Sequence, residues 1–280
     1  MIQIQDISYQ YDKKSAKVFD ELSLSFDEGK IYGLLGKNGV GKSTLLYLLC
    51  GLLHPRSGNI FIDGQEPRHR EPQLLENLFF VPDEVAMPHT TLRRYVSLYA
   101  PFYPRFSEDV LKSCLADFEM DMDARLDALS LGQKKRVMVS FALATQCRVL
   151  LMDEPTNGLD IPAKSLFRKM VARHTQEDQI IIISTHQVHD VDSLLDHIIV
   201  LSEPTAENGQ KSVLFDASMA DVQEKFAFLY RSAADDEGEV LYSEPTPQGR
   251  AVIVANSDGR ETTVNLEMLF KAVVQGKVKG

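Results

Sequence analysis

Tryptophan, cysteine and long apolar runs are absent or scarce in this 280-residue sequence. It contains no Trp and only three cysteines, Cys50, Cys114 and Cys147, whose spacing fits neither a zinc site nor a redox pair. Each cysteine lies in an apolar stretch, so we expect three buried thiols. No apolar run approaches the roughly 18 residues of a membrane-spanning helix, and the N-terminus alternates like a strand, unlike a signal peptide.

Positive charge is also in short supply. Lys and Arg total 30 against 40 Asp and Glu, a formal net charge of −10. So acidic a chain is a poor general binder of nucleic acid, because phosphate contacts need a cationic surface. A single nucleotide in a local positive pocket is still compatible with this charge. The composition is that of a soluble globular protein, and we expect a cytoplasmic one with no nucleic acid partner.

Alternating strand and helix patterns predict an α/β fold for most of the chain. Short apolar runs at 31–35, 149–152 and 180–184 are typical of strands buried on both faces. Helical patterns follow at 43–53 and 163–173. This order of strand, helix and strand predicts a mainly parallel sheet with crossover helices.

The strand patterns stop at about residue 83. Helices are predicted at 92–99 and 107–118, on either side of an aromatic, proline-rich stretch at 101–106, and again at 133–146. We therefore predict a helical insertion over about 83–146, between two strands of the main sheet.

The pattern weakens beyond residue 202, and we predict a first domain at 1–230 and a small accessory β segment at 231–280. The elements predicted there are a loop at 204–211, an edge strand at 213–215, a helix at 219–230, an acidic linker at 235–239, strands at 240–243, 250–256 and 261–264 with a hairpin turn at 257–259, and a helix at 266–274 capped by Asn265.

The segment GKNGVGKS at 36–43 fits the phosphate-binding pattern G-x-x-x-x-G-K-[ST]. Its glycines let backbone N–H groups face phosphate oxygens, and the following helix adds its positive end. Lys42 can reach the β- and γ-phosphates, and the Ser43 hydroxyl can ligate Mg²⁺. We predict that nucleotide is bound by Gly36, Lys37, Asn38, Gly39, Val40, Gly41, Lys42, Ser43 and Thr44.

Two carboxylates end the apolar run at 149–152. The carboxyl ends of parallel strands meet at one sheet edge, so we expect Asp153 and Glu154 beside the phosphate loop. Asp153 would then hold Mg²⁺ through water, and Glu154 would orient and deprotonate the attacking water. In the alternative, both acids only end a strand before the turn PTNG at 155–158. The phosphate loop favours the catalytic interpretation.

Two further segments are expected near the phosphates. His186 follows the strand predicted at 180–184, where it can donate to the γ-phosphate or hold the attacking water. LSLGQ at 129–133 precedes a helix, and Ser130 and Gln133 have the spacing of a capping box. The same helix N-terminus can present N–H donors to an anion, and the two functions are compatible.

Taken in this order, the motifs resemble those of the ATP-binding subunit of ABC transporters. The resemblance covers about 1–230 and includes VLLMDEP at 149–155, NGLD at 157–160 and STH at 184–186. It implies a P-loop NTPase fold of the α/β class, with a mixed, mainly parallel sheet, a helical insertion subdomain and a small C-terminal β segment beyond the shared region.

The resemblance also implies how ATP and Mg²⁺ are used. Two subunits, identical or different, would face head to tail around two ATP, with Asp160 near the seam between them. Catalysis is assigned to Lys42, Glu154 and His186. Ser130, Gly132 and Gln133 of one subunit would contact the ATP held by the other, and Mg²⁺ would have the candidate ligands Ser43, Asp83 and Asp153.

Departures from the family pattern occur at two places. Leu131 stands where glycine is common, but its neighbours Ser130 and Gly132 are kept, so we expect activity. The family usually has a Mg²⁺-ligating glutamine where this chain has Asp83, with Glu84 as the alternative if the alignment slips by one. A carboxylate there can bind Mg²⁺ but adds repulsion near ATP.

The resemblance further implies an aromatic side chain that stacks on adenine. Tyr11 is the candidate for it, with Tyr9 as the alternative. Other aromatics cluster in the insertion, where some would form its core and others a groove for a membrane permease. These are Tyr95, Tyr99, Phe102, Tyr103 and Phe106.

The resemblance predicts the ATP-hydrolysing subunit of an ABC transporter, peripheral on the inner face of the cell membrane. It would drive a separately encoded permease, with export as the expected direction. Two alternatives stay open: a soluble ABC ATPase that acts on nucleic acid or ribosomes, and a catalytically weak ATP-sensing module in which Asp83 marks lost activity.

Overall fold

A computed structural model describes residues 1–204, 212–232, 240–247 and 249–279. The predicted loop at 204–211, apart from Pro204, and the predicted linker at 235–239 lie outside the described residues. The strands are β1 Ile2–Tyr9, β2 Phe19–Phe26, β3 Lys30–Leu35, β4 Ser57–Ile62, β5 Leu78–Val81, β6 Val149–Asp153, β7 Ile180–Thr185, β8 His197–Leu201, β9 Val213–Ser218, β10 Phe226–Arg231, β11 Tyr242–Thr246 and β12 Gly249–Ala255. The α-helices are α1 Lys42–Leu49, α2 Pro72–Leu75, α3 Leu92–Tyr99, α4 Glu108–Asp117, α5 Leu131–Thr145, α6 Ile161–His174, α7 Met219–Lys225 and α8 Leu266–Val274.

The main sheet has six strands in the order β5-β6-β7-β3-β8-β9. Neighbouring strands are parallel except β9, which runs antiparallel to β8 at the edge. The predicted α/β fold with a mixed, mainly parallel sheet is therefore confirmed. Three of its strands, β3, β6 and β7, lie within one residue of the predicted ranges, whereas β8 was not predicted at all.

Side chains of the central strands alternate between two cores. In β6, Leu150 and Met152 pack into one core, while Val149 and Leu151 pack into the other. The second core is completed by α1 and by a separate antiparallel sheet of order β2-β1-β4. The first is completed by the insertion helices, α6 and the C-terminal segment. Burial on both faces explains why these strands read as continuous apolar runs.

Helix α1 ends at Leu49, four residues before the predicted end at 53. Gly51 takes a left-handed conformation with φ of +64°, which ends the α-helix at this point.

The insertion contains α3 and α4 and leads into α5. Tyr95, Tyr103 and Phe106 surround Phe141 of α5 at ring-centroid distances of 5.2, 6.1 and 5.3 Å. These three aromatics are therefore part of the insertion's core. Tyr99 and Phe102 stay exposed, at 43% and 66%, so the aromatic cluster divides between packing and surface.

The predicted helix at 219–230 is wrong in its second half. Helix α7 ends at Lys225, and Phe226 begins β10, which pairs with β12 from Phe226↔Ala255 to Arg231↔Arg250. Local patterning favoured a longer helix, but pairing with a strand more than twenty residues later in the chain decides the conformation of these residues.

The predicted strand at 261–264 and the predicted hairpin turn at 257–259 are also wrong. The hairpin lies earlier, between Thr246 of β11 and Gly249 of β12. The later segment reaches β10 through a side chain instead, since the Phe228 N–H donates to Thr262 Oγ1 at 3.1 Å. Helix α8 spans the predicted residues, with Asn265 accepting from the Met268 N–H as its N-cap.

The C-terminal sheet, of order β10-β12-β11, packs onto the main body. Ala251, Ile253 and Leu269 belong to the same core as the insertion and the main sheet. Helix α8 contacts the short turn Val188–Asp190, which follows His186. Strand β10 starts before residue 231, and its Phe226 belongs to this core. The division of the chain into domains at 1–230 and 231–280 stays a prediction.

All three cysteines are buried and free, as expected. Burial raises the pKa of the Cys50, Cys114 and Cys147 thiols to about 12 each, so they are protonated at neutral pH. In the part of the chain that the structure describes, every helix is too short or too polar to cross a membrane.

Candidate functional site

Four neighbouring strands of the main sheet end at the same edge, and each carries functional groups there. The order β5-β6-β7-β3 brings their carboxyl ends together, with Val81 paired to Met152, Asp153 to Ser184, and Leu35 to Thr185. The phosphate loop follows β3. The structure therefore assembles segments that lie more than a hundred residues apart in the chain.

Two glycines shape the phosphate loop. Gly39 and Gly41 have φ of +89° and +104°, which side chains rarely tolerate. A Cβ on Gly41 would also lie 2.6 Å from Val18 Cγ1. Gly41 is the N-cap of α1 and no side chain caps this helix. The N–H groups of the first turn are thus left for an anion, as the sequence predicts.

Lys42 is buried inside the loop, with 6% of its surface exposed. Its Nζ donates to the carbonyl oxygens of Gly36 and Lys37 at 2.9 and 3.2 Å and lies 3.9 Å from Glu154 Oε1. Burial lowers the pKa of Lys42, and the carboxylates of Glu154 and Asp153 oppose that shift. The loop's own carbonyls hold the ammonium beside the strand ends.

Glu154 is fixed by β7 and the residue after it. Thr185 Oγ1 donates to its Oε2 at 3.1 Å, and the His186 N–H donates to its Oε1 at 3.1 Å. His186 Nδ1 lies 2.7 Å from the same Oε1. Because a carboxylate only accepts, the imidazole carries its proton on Nδ1. Ser184 Oγ donates to the buried Asp153 carboxylate. The structure therefore brings the three predicted residues Asp153, Glu154 and His186 together.

A cavity of 460 Å³ opens in front of these groups. Lys42 is the one cation among its described lining residues, against the carboxylates of Asp83 and Glu154. The lining consists of Tyr11, Val18, Asn38, Gly39, Gly41, Lys42, Ser43, Thr44, Asp83, Glu154, Asn157 and His186. Three of the predicted loop residues do not line this cavity. The carbonyl oxygens of Gly36 and Lys37 accept hydrogen bonds from Lys42, and Val40 packs into the core.

The oxygen donors at this edge fit Mg²⁺. The Ser43 hydroxyl and the Asp83 carboxylate line the cavity, and Asp153 lies behind it at the end of β6. Within the described ranges, no three acidic, histidine or cysteine side chains form a ready-made metal site. Mg²⁺ usually keeps waters and substrate phosphates as most of its ligands, so it needs few oxygens from the protein.

The structure places Asp83, and not Glu84, on the cavity wall. Glu84 is exposed, whereas Asp83 accepts from Asn157 Nδ2 at 3.3 Å and from Lys135 Nζ at 3.4 Å. The sequence reasoning did not identify Lys135 or Asn157. The helical periodicity could have identified Lys135. It lies on the same helix face as the apolar residues Met138, Val139 and Ala142, which follow it by three, four and seven positions.

The LSLGQ residues lie away from the cavity of their own chain. Ser130 caps α5 by accepting from the Gln133 N–H at 3.3 Å, and Gln133 Oε1 accepts from the Ser130 N–H at 3.0 Å. This confirms the predicted capping box. A Cβ on Gly132 would lie 2.8 Å from the Gly158 carbonyl oxygen, so glycine permits close packing between this helix and the turn after β6.

Asp160 lies at the start of α6, beside that turn. Its Oδ1 accepts from the Ala163 N–H at 2.9 Å, and its Oδ2 accepts from Arg136 Nη2 at 3.1 Å. Arg136 belongs to α5, so the two segments predicted to face a second subunit are joined by an ion pair.

Tyr11, and not Tyr9, lines the cavity. Its hydroxyl lies 2.7 Å from Thr44 Oγ1 and its side chain is 56% exposed. Tyr9 is buried beneath it, with the two rings edge to face at a centroid distance of 5.2 Å. The exposed ring is available for stacking, and the buried one supports it.

Comparisons with known proteins agree with this geometry. The family model described as "ABC transporter" matches residues 19–157. The ATP-binding protein YtrB of Bacillus subtilis is 28% identical over 210 residues, which cover 74% of this chain and 71% of that protein. The Nod factor export ATP-binding protein I of Burkholderia orbicola is 31% identical over 208 residues, which cover 72% and 68%.

A solved structure shares the fold. The structure described as a dimeric post-hydrolysis state of the ATP-binding cassette MJ0796 bound to ADP and Pi aligns with a TM-score of 0.62. The alignment has 23% identity and covers 72% of this chain and 94% of that one. The likeness therefore extends over nearly all of that cassette and over less than three quarters of this chain.

The placement of Tyr11 generates a prediction about nucleotide affinity. Tyr11→Ala should weaken ATP binding by about tenfold, since base–aromatic stacking contributes roughly 1–3 kcal/mol. Tyr11→Phe keeps the ring, loses only the contact with Thr44, and should bind nearly as wild type. Calorimetric titration measures both. Tyr230→Ala, at a tyrosine that is 79% exposed on β10, is the matched control. Equal affinities for Tyr11→Ala and wild type would remove Tyr11 from the adenine site.

Proposed function

The chain belongs to the ABC transporter family of ATP-binding subunits, and on that premise we propose that it hydrolyses Mg-ATP to drive a separate membrane permease. One observation carries the assignment of the reaction: Lys42, Glu154 and His186 meet at the mouth of one cavity at the carboxyl edge of the sheet. The ATP-sensing alternative lacks support, because none of these three groups is missing.

Each group has a proposed role in phosphoryl transfer. The loop N–H groups and Lys42 bind the triphosphate, and Glu154 accepts the proton of the attacking water. His186 Nδ1 and Thr185 Oγ1 orient the Glu154 carboxylate through the hydrogen bonds already described. Mg²⁺, held by Ser43, Asp83 and, through water, Asp153, would supply positive charge at the phosphate oxygens. A single lysine leaves most of the ATP charge to be balanced in this way.

We also propose that two subunits complete each other's sites. Ser130 and Gln133 are exposed and contribute nothing to the lining of their own cavity. The positive end of α5 is thus presented outward, where it can face the phosphates held by a second subunit. The dimeric form of the MJ0796 cassette supports this arrangement.

A groove on the insertion side is the proposed docking site of the permease. It has a volume of 570 Å³ and is lined by apolar and aromatic side chains that include Leu52, Phe80, Tyr99 and Phe102. Leu52 and Phe102 are 54% and 66% exposed. A helix from a membrane protein would bury this surface, which water otherwise contacts. Such docking would place the chain on the inner face of the membrane.

We propose export as the direction of transport. The similarity to an ATP-binding protein named for Nod factor export supports it. The cargo would be selected by the permease, because the cavity described here is shaped by the phosphate loop and catalytic residues.

Two substitutions separate binding from hydrolysis. Glu154→Gln should keep ATP binding and lower the hydrolysis rate by about 10²-fold or more, through loss of the general base. Lys42→Ala should weaken ATP binding itself by at least about tenfold, through loss of charge-assisted hydrogen bonds to phosphate. Phosphate release and calorimetry provide the two measurements. Lys169→Ala is the control, since this lysine of α6 is exposed and lies off the cavity. Near-normal turnover of Glu154→Gln would exclude the proposed base.

The dimer is tested with the same slow variant. Glu154→Gln mixed with Mg-ATP should shift from the mass of one 31.5 kDa chain to that of two in light scattering. Adding Ser130→Arg should abolish the shift, because the bulky cation occupies the N-terminus of α5. Single chains at millimolar ATP in the Glu154→Gln protein would contradict the shared site.

Membrane docking predicts a location in cells. A tagged wild-type chain should sediment with membranes in the cells that make it, and Phe102→Asp should move most of it to the supernatant. Tyr230→Asp places the same charge at another exposed aromatic, on the C-terminal sheet, and should stay with the membranes. Supernatant location of the wild-type chain would instead favour the soluble ABC ATPase.

A further inference from the structure

The ammonium group of Lys135 is completely buried behind the carboxylates of the cavity. Its Nζ lies within hydrogen-bond distance of four oxygens. They are the carbonyl oxygens of Pro82 at 3.1 Å, Asp153 at 3.4 Å and Glu154 at 3.0 Å, and Asp83 Oδ1 at 3.4 Å. Lys135 therefore joins α5 to the carboxyl ends of β5 and β6, next to Asp153 and Glu154.

All four partners are acceptors, which favours a charged lysine. Burial lowers the pKa of Lys135, and the neighbouring Asp83 carboxylate opposes that shift. A neutral amine would turn its lone pair toward an oxygen, and an unpaired polar group in this setting is costly. An ammonium has three protons for four acceptors. Three of the acceptors are main-chain carbonyls held by the sheet and its turns. The Asp83 carboxylate is the one acceptor on a side chain, so it can leave while Lys135 keeps a partner for each proton.

Asp83 stands between this buried cation and the cavity. Its side chain is 43% exposed and lines the cavity on one side while it contacts Lys135 on the other. An uncompensated carboxylate at this position would repel the triphosphate of ATP. A fixed positive charge behind it reduces the repulsion, and the same charge attracts the carboxylate away from a divalent cation.

We propose that Lys135 is a positioning residue that acts as the fixed counter-charge of Asp83. It reduces the repulsion between Asp83 and the ATP phosphates, and it competes with Mg²⁺ for the Asp83 carboxylate. The inference rests on the proposed function, because it presupposes that Mg-ATP binds in this cavity. It adds a residue from α5, the helix that presents Ser130 to a second subunit, to the charge balance of the chain's own site.

The two effects of Lys135 have opposite signs on binding. Without Lys135, the exposed charge of Asp83 should weaken nucleotide binding in the absence of Mg²⁺. The same free carboxylate should bind Mg²⁺ more readily, so less Mg²⁺ should be needed for half-maximal nucleotide binding. If Lys135 were only structural, its loss would loosen the site and weaken nucleotide binding both without and with Mg²⁺. The contrast in sign separates the two explanations.

The experiment titrates Lys135→Met and wild type with the non-hydrolysable analogue AMP-PNP. In EDTA, the variant should bind about threefold to tenfold more weakly, the range expected for one partly screened charge interaction. At fixed AMP-PNP, its half-saturating Mg²⁺ concentration should fall by a similar factor. Lys169→Met removes an exposed lysine of α6 and should change neither value.

Asp83→Asn provides the reciprocal test and does not remove the buried lysine. It should strengthen AMP-PNP binding in EDTA and raise the half-saturating Mg²⁺ concentration. In the Asp83→Asn background, Lys135→Met should change either value by less than about twofold, since the charge it compensates is gone. Thermal unfolding identifies a variant that fails to fold, and Lys135→Gln, which keeps hydrogen-bond donors to the carbonyls, then replaces Lys135→Met.

Two results would overturn the proposal. One is that Lys135→Met or Lys135→Gln weakens binding both in EDTA and with Mg²⁺. The other is that its effect persists unchanged in the Asp83→Asn background. If wild type itself binds no AMP-PNP under either condition, the proposed function fails and this role of Lys135 fails with it. If wild type binds AMP-PNP but Lys135→Met does not show the two opposite effects, only the proposed role of Lys135 fails.

Discussion

A concentration of negative charge at the carboxyl edge of the sheet is the constraint on which the rest of this site depends. Asp83, Asp153 and Glu154 converge there because β5 and β6 are adjacent and parallel. A polyanion must nevertheless bind at the same edge. The described residues supply Lys42 in front of the carboxylates and Lys135 behind them. The unpaired N–H groups at the start of α1 add positive potential without a further side chain.

Much of this site could be predicted because its parts obey local rules. The phosphate loop is contiguous, and its glycine spacing specifies a backbone that only glycine adopts readily. Asp153 and His186 follow apolar runs, and the rule that parallel strands end at one edge brings them together. The choice between Asp83 and Glu84 needed coordinates, because it depends on how the chain turns after Pro82 into the insertion.

Other features depend on packing between distant segments, which no local pattern contains. Lys135 interrupts an apolar helix face, but its partners are main-chain carbonyls set by the docking of α5 against β5 and β6. The residues of β10 carry aromatic and aliphatic side chains that suit a helix equally well. They form a strand because β12 offers a complete ladder of partners, from Ala255 to Arg250. Asn157 was missed because an asparagine after a turn-forming Pro-Thr pair is common.

The packing of α5 is compatible with the proposed dimer, in which this helix serves two nucleotide sites. Its N-terminus, capped by Ser130 and Gln133, faces outward, while Lys135 one turn later reaches the strand ends of its own chain. Gly132 keeps the helix against the turn after β6, with no room for a side chain. In the proposed dimer, a ligand that displaces α5 at its outer end would change the distance between Lys135 and Asp83, because the carbonyls that hold the lysine belong to the sheet. Charge balance in one cavity would then be coupled to occupancy of the other.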